Sequence, residues 1–187
     1  LAGDIPPQVA EGELLPETYH YKRGDQRAEV IGRMRQAMRE TVALMWENRA
    51  ESLPLNSPRD ALILASIVEK ETGQAAERPQ IAGVFARRLK LGMRLQTDPT
   101  VIYGIGASYD GDIRRRDLRT DTPYNTYTRA GLPPTPIAMP GKAALQAAAN
   151  PADGDALYFV ASGNGRHVFS ANYDDHRKAV ATHQLKQ

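Results

Sequence analysis

Cysteine is missing from this 187-residue chain, and that one absence removes disulfide frameworks, thiolate zinc sites and a cysteine nucleophile together. No apolar run approaches the roughly 20 residues that a membrane-spanning helix needs. Neither sign of charge dominates: 24 Lys and Arg against 22 Asp and Glu leave a formal charge of +2, too balanced to mark a nucleic-acid partner. The four histidines, His20, His167, His176 and His183, show neither an HExxH nor any other metal-ligand spacing. Gly104-Ile105-Gly106 lacks the third glycine and the preceding strand of a dinucleotide loop. A Walker sequence and a Gly-x-Ser-x-Gly elbow are also lacking. No metal and no cofactor is expected. The chain starts at Leu1 without a Met or a signal-like stretch, and is expected to be a piece of something longer whose targeting segment lies elsewhere.

What is present suits a packed core. Apolar residues make up 41% of the chain and charged residues 25%, which excludes global disorder. Pro6-Pro7, Gly12, Pro16 and Gly24 predict an extended first two dozen residues, with Leu14-Leu15 and Tyr19 to Tyr21 as the sticky parts. From Asp25, a plausible N-cap, to about Arg49, the apolar residues Ile31, Met34, Met38, Val42 and Met45 recur at helical steps. Trp46 reads as core or cover. Ser57-Pro58-Arg59-Asp60 opens a second helix with a capping serine, a first-turn proline and a first-turn acid. Its run Ala61 to Val68 is apolar on nearly every face, which predicts burial on several sides, and Gly73 reads as the stop. A third helix fits Pro79 to Leu91, with Arg87, Arg88 and Lys90 complementing its C-terminal dipole.

Between Gly92 and Gly141 the composition turns to Gly, Pro, Tyr, Asn and Thr. A structureless stretch of that length is usually a binding wall. Arg114-Arg115-Arg116, followed by Asp117, reads as a solvated turn. Lys142 to Ala149 predicts a short helix ended by Asn150-Pro151. Leu157 to Ala161 and His167 to Ser170 flank Ser162-Gly163-Asn164-Gly165-Arg166, a hairpin signal, with Tyr158 and Phe169 expected in packing. A last helix begins near Asp174. The fold class expected is α+β: a mainly helical core with a small antiparallel hairpin.

Chemistry points first to Glu69-Lys70-Glu71-Thr72, at the end of the apolar helix. Helical spacing puts Glu71 on the side of Leu64, Ile67 and Val68, and in the last turn, where the dipole disfavours negative charge. Burial and dipole both raise a carboxyl pKa toward the range a general acid needs. Glu69 projects elsewhere, near Leu62 and Ala65. The residues alone leave open the ordinary outcome, in which one Glu pairs with an arginine of the next helix and the other is solvated. Gln96, Thr97 and Asp98 gather amide, hydroxyl and carboxylate groups, and Tyr124, Asn125 and Tyr127 interleave rings with an amide. Rings with amides suit a sugar groove; a loop satisfying its own backbone would look the same.

At these residues the chain resembles the endolytic murein transglycosylase family, also called YceG-like. The resemblance runs through Leu64 to Thr72, Val84 to Leu89, Gly92 to Gly104, Tyr124 to Tyr127, Gly131 to Pro134 and Leu157 to Ala161, and through an upstream element carrying Glu11-Gly12 and Leu15 to Tyr19. Glu13 stands where the family pattern is usually aromatic. The family likeness implies a lytic-transglycosylase-like catalytic domain over residues 1–187, with a LysM-like segment and a single-pass inner-membrane anchor preceding it and the domain on the periplasmic side. It implies cleavage of peptidoglycan glycan strands to 1,6-anhydro-N-acetylmuramic acid ends, with envelope peptidoglycan synthases as possible partners. A second likeness, to the helix end of soluble lytic transglycosylases, selects Glu71 as the catalytic residue, with Glu69 and Glu11 as secondary candidates. Gln96, Thr97, Asp98, Tyr124, Asn125 and Tyr127 are the expected substrate contacts. Two rivals stand beside this reading: a hydrolytic muramidase using Asp98 or Glu69 as second carboxylate, and a non-catalytic glycan-binding module.

Overall fold

A computed structural model describes residues 1–4, 9–163 and 165–183. Pro6-Pro7 and Asn164 of the expectations above lie outside the described residues. The elements are α1 (Arg27–Glu47), α2 (Pro58–Glu71), α3 (Arg78–Lys90), α4 (Asp98–Ile105), α5 (Arg115–Arg119), α6 (Lys142–Ala149), β1 (Tyr158–Ala161), β2 (His167–Ser170) and α7 (Tyr173–His183). The expected α+β class holds. Among the described residues no helix is long and apolar enough to cross a membrane.

Helix α2 is the axis of the core. Ser57 caps it by accepting the Asp60 N–H at 3.2 Å, and Pro58 stands in its first turn. From Ala61 to Val68 only Leu62 keeps appreciable surface, because α1, α3, α4 and α6 all pack on this segment. The polar residue in the run, Ser66, donates to the Ile63 carbonyl at 2.7 Å and accepts the Ile137 N–H at 3.0 Å. A buried hydroxyl thus stitches the loop before α6 to the core. The alanines Ala144, Ala147 and Ala148 of α6 are fully or almost fully buried, and such small side chains let the two helix backbones approach closely. Gly83 serves a similar end on α3, where a Cβ would stand 2.5 Å from the Ala152 carbonyl oxygen.

Four expectations about elements need correction. Helix α1 starts after Gln26, whose N–H goes to the Glu29 carboxylate at 2.9 Å, while Asp25 accepts the Lys22 N–H instead. Helix α2 stops at Glu71, not at Gly73. Thr72 turns extended, with φ −144°, and its hydroxyl accepts the Gln74 N–H at 2.9 Å. The Gly92–Gly141 stretch is not structureless: Pro99 lies in the first turn of α4, a start signal that reads as a breaker among so many glycines. The triple arginine opens the short helix α5, with Asp117 accepting the Arg114 N–H at 2.8 Å. Tyr21 is exposed, whereas Leu15 is wholly buried. Glu13, in the usually aromatic position, makes an ion pair with Arg35 at 3.1 Å.

The hairpin pairs Tyr158 with Ser170, Phe159 with Phe169, Val160 with Val168 and Ala161 with His167. It joins the helical body through Phe159, whose ring meets Phe85 edge-on at 5.7 Å. Phe85 is 1% exposed, so Phe85→Ala is expected to lose about 3–5 kcal/mol in a denaturant melt. Leu44→Ala, on the open face of α1, is expected to change stability by less than about 0.5 kcal/mol.

Candidate active site

The C-terminal end of α2 opens into a cleft of about 490 Å³. Glu71, the last residue of the helix, forms part of its wall together with Gln96, Asp98 and Tyr127 from the segments around α4. Most of the remaining lining comes from Arg88 of α3, from β1, from His167 of β2 and from α7. Glu71 keeps some surface toward the cleft while its carboxyl is packed deep against the core. Burial pushes its pKa from an ordinary 4.5 up to about 7. A hydrogen bond from the Thr97 hydroxyl opposes the rise, the negative charge of Asp98 adds to it, and His167 again opposes it.

Thr97 donates to Glu71 Oε1 from a fixed position. Its N–H is held by the Thr126 hydroxyl at 3.1 Å, its carbonyl accepts the Thr100 hydroxyl at 2.7 Å, and the hydroxyls of Thr100 and Thr126 meet at 2.9 Å. All three threonines are buried. One residue earlier, Gln96 adopts φ +52°, the sole non-glycine positive φ among the described residues. Such a conformation costs of order 1–3 kcal/mol and persists only where the surroundings impose it. Here the Gln96 N–H to the Thr126 carbonyl at 3.2 Å and the guanidinium of Arg88 impose it. Arg88 is 7% exposed; its Nη1 donates to the Leu95 carbonyl at 2.8 Å and its Nε to the Leu157 carbonyl at 2.7 Å. The arginine therefore ties the threonine loop and the root of β1 to α3, a larger task than complementing the helix dipole.

The predicted site residues separate into two groups. Glu71, Gln96, Asp98 and Tyr127 come together in the cleft. Thr97 lies behind them with its hydroxyl committed to Glu71, which makes it a positioning residue. The Tyr127 hydroxyl donates to Asp98 Oδ1 at 2.6 Å, and burial followed by this bond pushes its pKa up. Tyr124 and Asn125 are not brought to the cleft wall. The Asn125 amide nitrogen donates to the carbonyls of Asp117, Leu118 and Thr120, and its oxygen accepts the Tyr127 N–H at 2.9 Å. It is 1% exposed, so it shapes the loop that presents Tyr127. Tyr124 packs against Tyr103 at 4.8 Å and bonds Thr135 through its hydroxyl at 2.8 Å. Glu69 points away from the cleft: Oε2 accepts the Gly141 N–H at 3.0 Å and Oε1 lies 3.7 Å from Arg78. Half of the ordinary outcome thus applies, to Glu69 alone. Glu11 also lies outside the cleft wall, near Tyr103.

Sequence reasoning did not place Arg88, Tyr158, His167, Tyr173 or His176 in the cleft, where all five now stand. Tyr158 was expected in packing but carries the Arg88 guanidinium 5.0 Å from its ring centre. His167 is held by Glu77, at 2.8 Å from Nδ1 and 3.1 Å from its N–H. Burial alone would raise the Glu77 pKa; these hydrogen bonds outweigh it and hold the carboxyl below its usual range. No local pattern links residues so distant in the chain. Among the described residues no group of three or more His, Asp or Glu side chains is arranged to hold a metal.

A family model described as the YceG-like family matches residues 3–182. The chain belongs to the YceG-like family. It is 39% identical over 170 residues to the endolytic murein transglycosylase of Bacillus subtilis (strain 168), covering 90% of this chain and 46% of that protein. It is 34% identical over 179 residues to the endolytic murein transglycosylase of Streptococcus pneumoniae (strain ATCC BAA-255 / R6), covering 92% of this chain and 32% of that protein. A crystal structure of a yceG-like protein from Listeria monocytogenes superposes with a TM-score of 0.77 at 37% identity, over 89% of this chain and 54% of that one. The chain therefore spans a third to a half of the length of these YceG-like relatives.

The raised pKa of Glu71 has a stability consequence. Between about pH 4.5 and pH 7 the native state holds a proton on Glu71 that the unfolded chain has released, so stability falls as pH rises through that window. Glu71→Gln carries no such linkage. The stability of the variant relative to the parent is expected to rise by roughly 3 kcal/mol from pH 4 to pH 8, about two and a half pKa units of linkage. Paired urea melts across that range check it, and a flat difference rules out a raised pKa.

Proposed function

We propose that this chain cleaves the glycan strands of peptidoglycan between N-acetylmuramic acid and N-acetylglucosamine, using Glu71 as the one catalytic carboxyl and leaving 1,6-anhydro ends. The observation that carries the reading is a carboxyl poised near neutrality in an open cleft, with a neutral hydroxyl as its partner. The names of the relatives in Bacillus and Streptococcus support the substrate class.

In this reading protonated Glu71 gives its proton to the glycosidic oxygen as the C–O bond breaks and the muramic sugar gains oxocarbenium character. The resulting carboxylate then takes the proton of the C6 hydroxyl as that oxygen closes on the anomeric carbon. Glu71 ends protonated and ready to repeat. An internal nucleophile needs no second carboxylate at a set separation, unlike the paired acids of ordinary glycosidases. Gln96, Asp98 and Tyr127 are the polar groups available to the N-acetyl and hydroxyl groups of the bound sugar. Residues 1–187 act as the catalytic unit, in a longer protein anchored in the bacterial inner membrane with this part on the periplasmic side. Peptidoglycan synthases of the envelope are the partners this placement suggests.

A hydrolytic muramidase is the second reading, and one observation favours it: Asp98 shares the cleft with Glu71. Glu69 is a weaker second carboxylate, being committed to Gly141 and Arg78. Mass spectra of digested sacculi separate the readings. Anhydro-muramyl ends are expected from the parent, and reducing ends would support the muramidase. Glu71→Gln is expected to lower cleavage by at least 10²–10⁴, the usual worth of general acid–base assistance, while the protein stays folded. Asp98→Asn is expected to slow cleavage yet still leave anhydro-muramyl ends if C6 is the nucleophile, and to abolish cleavage if Asp98 activates water.

The pH profile supplies another test. Loss of the Glu71 proton removes the acid, so activity is expected to fall as pH rises through about 7. Thr97→Val removes the hydrogen bond that opposes the raised pKa, and is expected to move that alkaline limb to higher pH. A limb that stays in place assigns the titration to another group.

A further inference from the structure

Part of the cleft lining has no role in the proton transfers at Glu71. It comes from β1 and the first two turns of α7, where Tyr158, Tyr173, His176 and Val180 line the same cavity as Glu71. Tyr173 opens α7 and is 59% exposed, although a ring of that size ordinarily covers core. It stays beside the cleft because its centroid lies 5.9 Å from Tyr158 and 6.4 Å from His176. Tyr158 in turn stacks on His176 at 5.1 Å with 22° between the planes, and carries Arg88 at 5.0 Å. Tyr158 is thus engaged as a brace, and the open ring is Tyr173.

Polar capacity lies one ring away, at Tyr158. The hydrogen bonds of Arg88 use Nε and Nη1, toward the carbonyls of Leu157, Arg94 and Leu95 and the Gln96 amide oxygen. Nη2 makes none among the described residues, and Arg88 lines the cleft. His176 has its Nδ1 buried without a partner. Burial, and then the charge of Arg88, lower its pKa, which favours a neutral ring and suits a flat platform. An open aromatic face bordered by a nitrogen donor, in a concave wall, matches a pyranose with apolar C–H faces and hydroxyl or acyl edges. A peptide carrying several carboxylates would call for more exposed cations than Arg88, which is 7% exposed.

We propose that Tyr173, braced by Tyr158 and His176, is the stacking platform of a second sugar subsite, which holds an N-acetylated pyranose of the same strand away from the bond at Glu71, with Arg88 Nη2 available to its acyl oxygen. This rests on the glycan reading of the cleft, and it concerns binding, so its test needs no turnover. The probe is chitotetraose, a soluble tetramer of N-acetylglucosamine without peptide stems, titrated calorimetrically into the full chain carrying Glu71→Gln. Tyr173→Phe keeps the ring face and is expected to bind within about twofold of that parent. Tyr173→Ala is expected to bind about five- to tenfold more weakly, the worth of one aromatic contact. Tyr173→Leu, which keeps bulk but no ring, is expected to match Tyr173→Ala, and serves as the measurement if Tyr173→Ala does not fold. Tyr21→Ala, an exposed tyrosine outside the cleft wall, is expected to bind like the parent. Unchanged affinity in Tyr173→Leu overturns the proposal, and so does an equal loss in Tyr173→Phe or an absence of chitotetraose binding to the parent. If sacculi are not cleaved by the chain with Glu71 intact, the catalytic reading fails while the binding series still decides the subsite.

Discussion

A carboxyl at the end of a buried helix must find a partner or stay protonated, and most of this cleft is built around that constraint. Glu71 ends a helix whose run from Ala61 to Val68 is almost wholly buried, where water cannot solvate its charge well. An arginine or lysine beside it would restore ionisation and depress the pKa. The fold offers a hydroxyl instead, from Thr97. A neutral donor stabilises the carboxylate less than a cation does, so burial wins and the group settles near pH 7. Arg88, which also lines the cleft, has Nε and Nη1 committed to backbone carbonyls and the Gln96 amide. Arg88 shapes the loop that brings Thr97 to Glu71.

The same helix carries a second glutamate two residues away, and the comparison shows how position sets chemistry. Two residues along a helix is a rotation of about 200°, so Glu69 and Glu71 face nearly opposite directions. Glu69 meets a backbone N–H and Arg78 and becomes a fastening between α2, α3 and the start of α6. Glu71 meets the threonine loop and becomes the titrating group. Moving the threonine loop by a few ångströms would remove the one hydrogen bond that tempers Glu71. Three buried hydroxyls and a strained Gln96 hold that loop in place.

Much of this was legible in the sequence, and the limits have physical causes. Ser57-Pro58 and the apolar run fixed where α2 begins and how deeply it is buried, because capping and periodicity are local properties. The gathering of Gln96, Asp98 and Tyr127 with Glu71 followed from an unusually long polar stretch beside a helix end. Asn125 and Tyr124 misled because an amide or phenol that closes a loop is the same in sequence as one that greets a sugar. Only the three carbonyls around Asn125 distinguish them. Helix α4 was hidden by Pro99, Gly104 and Gly106, which punctuate a chain as readily as they start and end a short helix. Arg88 and the Tyr158–Tyr173–His176 wall were invisible because their partners are fixed by tertiary packing between α3, the hairpin and α7.

Under the proposed function, the lining of the cleft answers two demands that a polymer substrate makes. Rigid chemistry needs a group held in place, and the α2 end supplies it through a buried network with little freedom to relax. Holding a long strand needs broad, forgiving contacts that tolerate sliding, and rings do this better than directional hydrogen bonds. Placing both tasks on one element would set them against each other, since exposed tyrosines beside Glu71 would trade its dry surroundings for water-accessible surface. Here Glu71 comes from the end of α2 and the open ring of Tyr173 from the start of α7, two elements that share one lining. Arg88 belongs to the same lining, with two nitrogens committed to the loop, Leu157 and Gln96, and its guanidinium over Tyr158. A displacement of Tyr158 would therefore be felt at Gln96 and at Thr97 beside it, and under the proposed function this would couple the hold on the strand to the position of the acid.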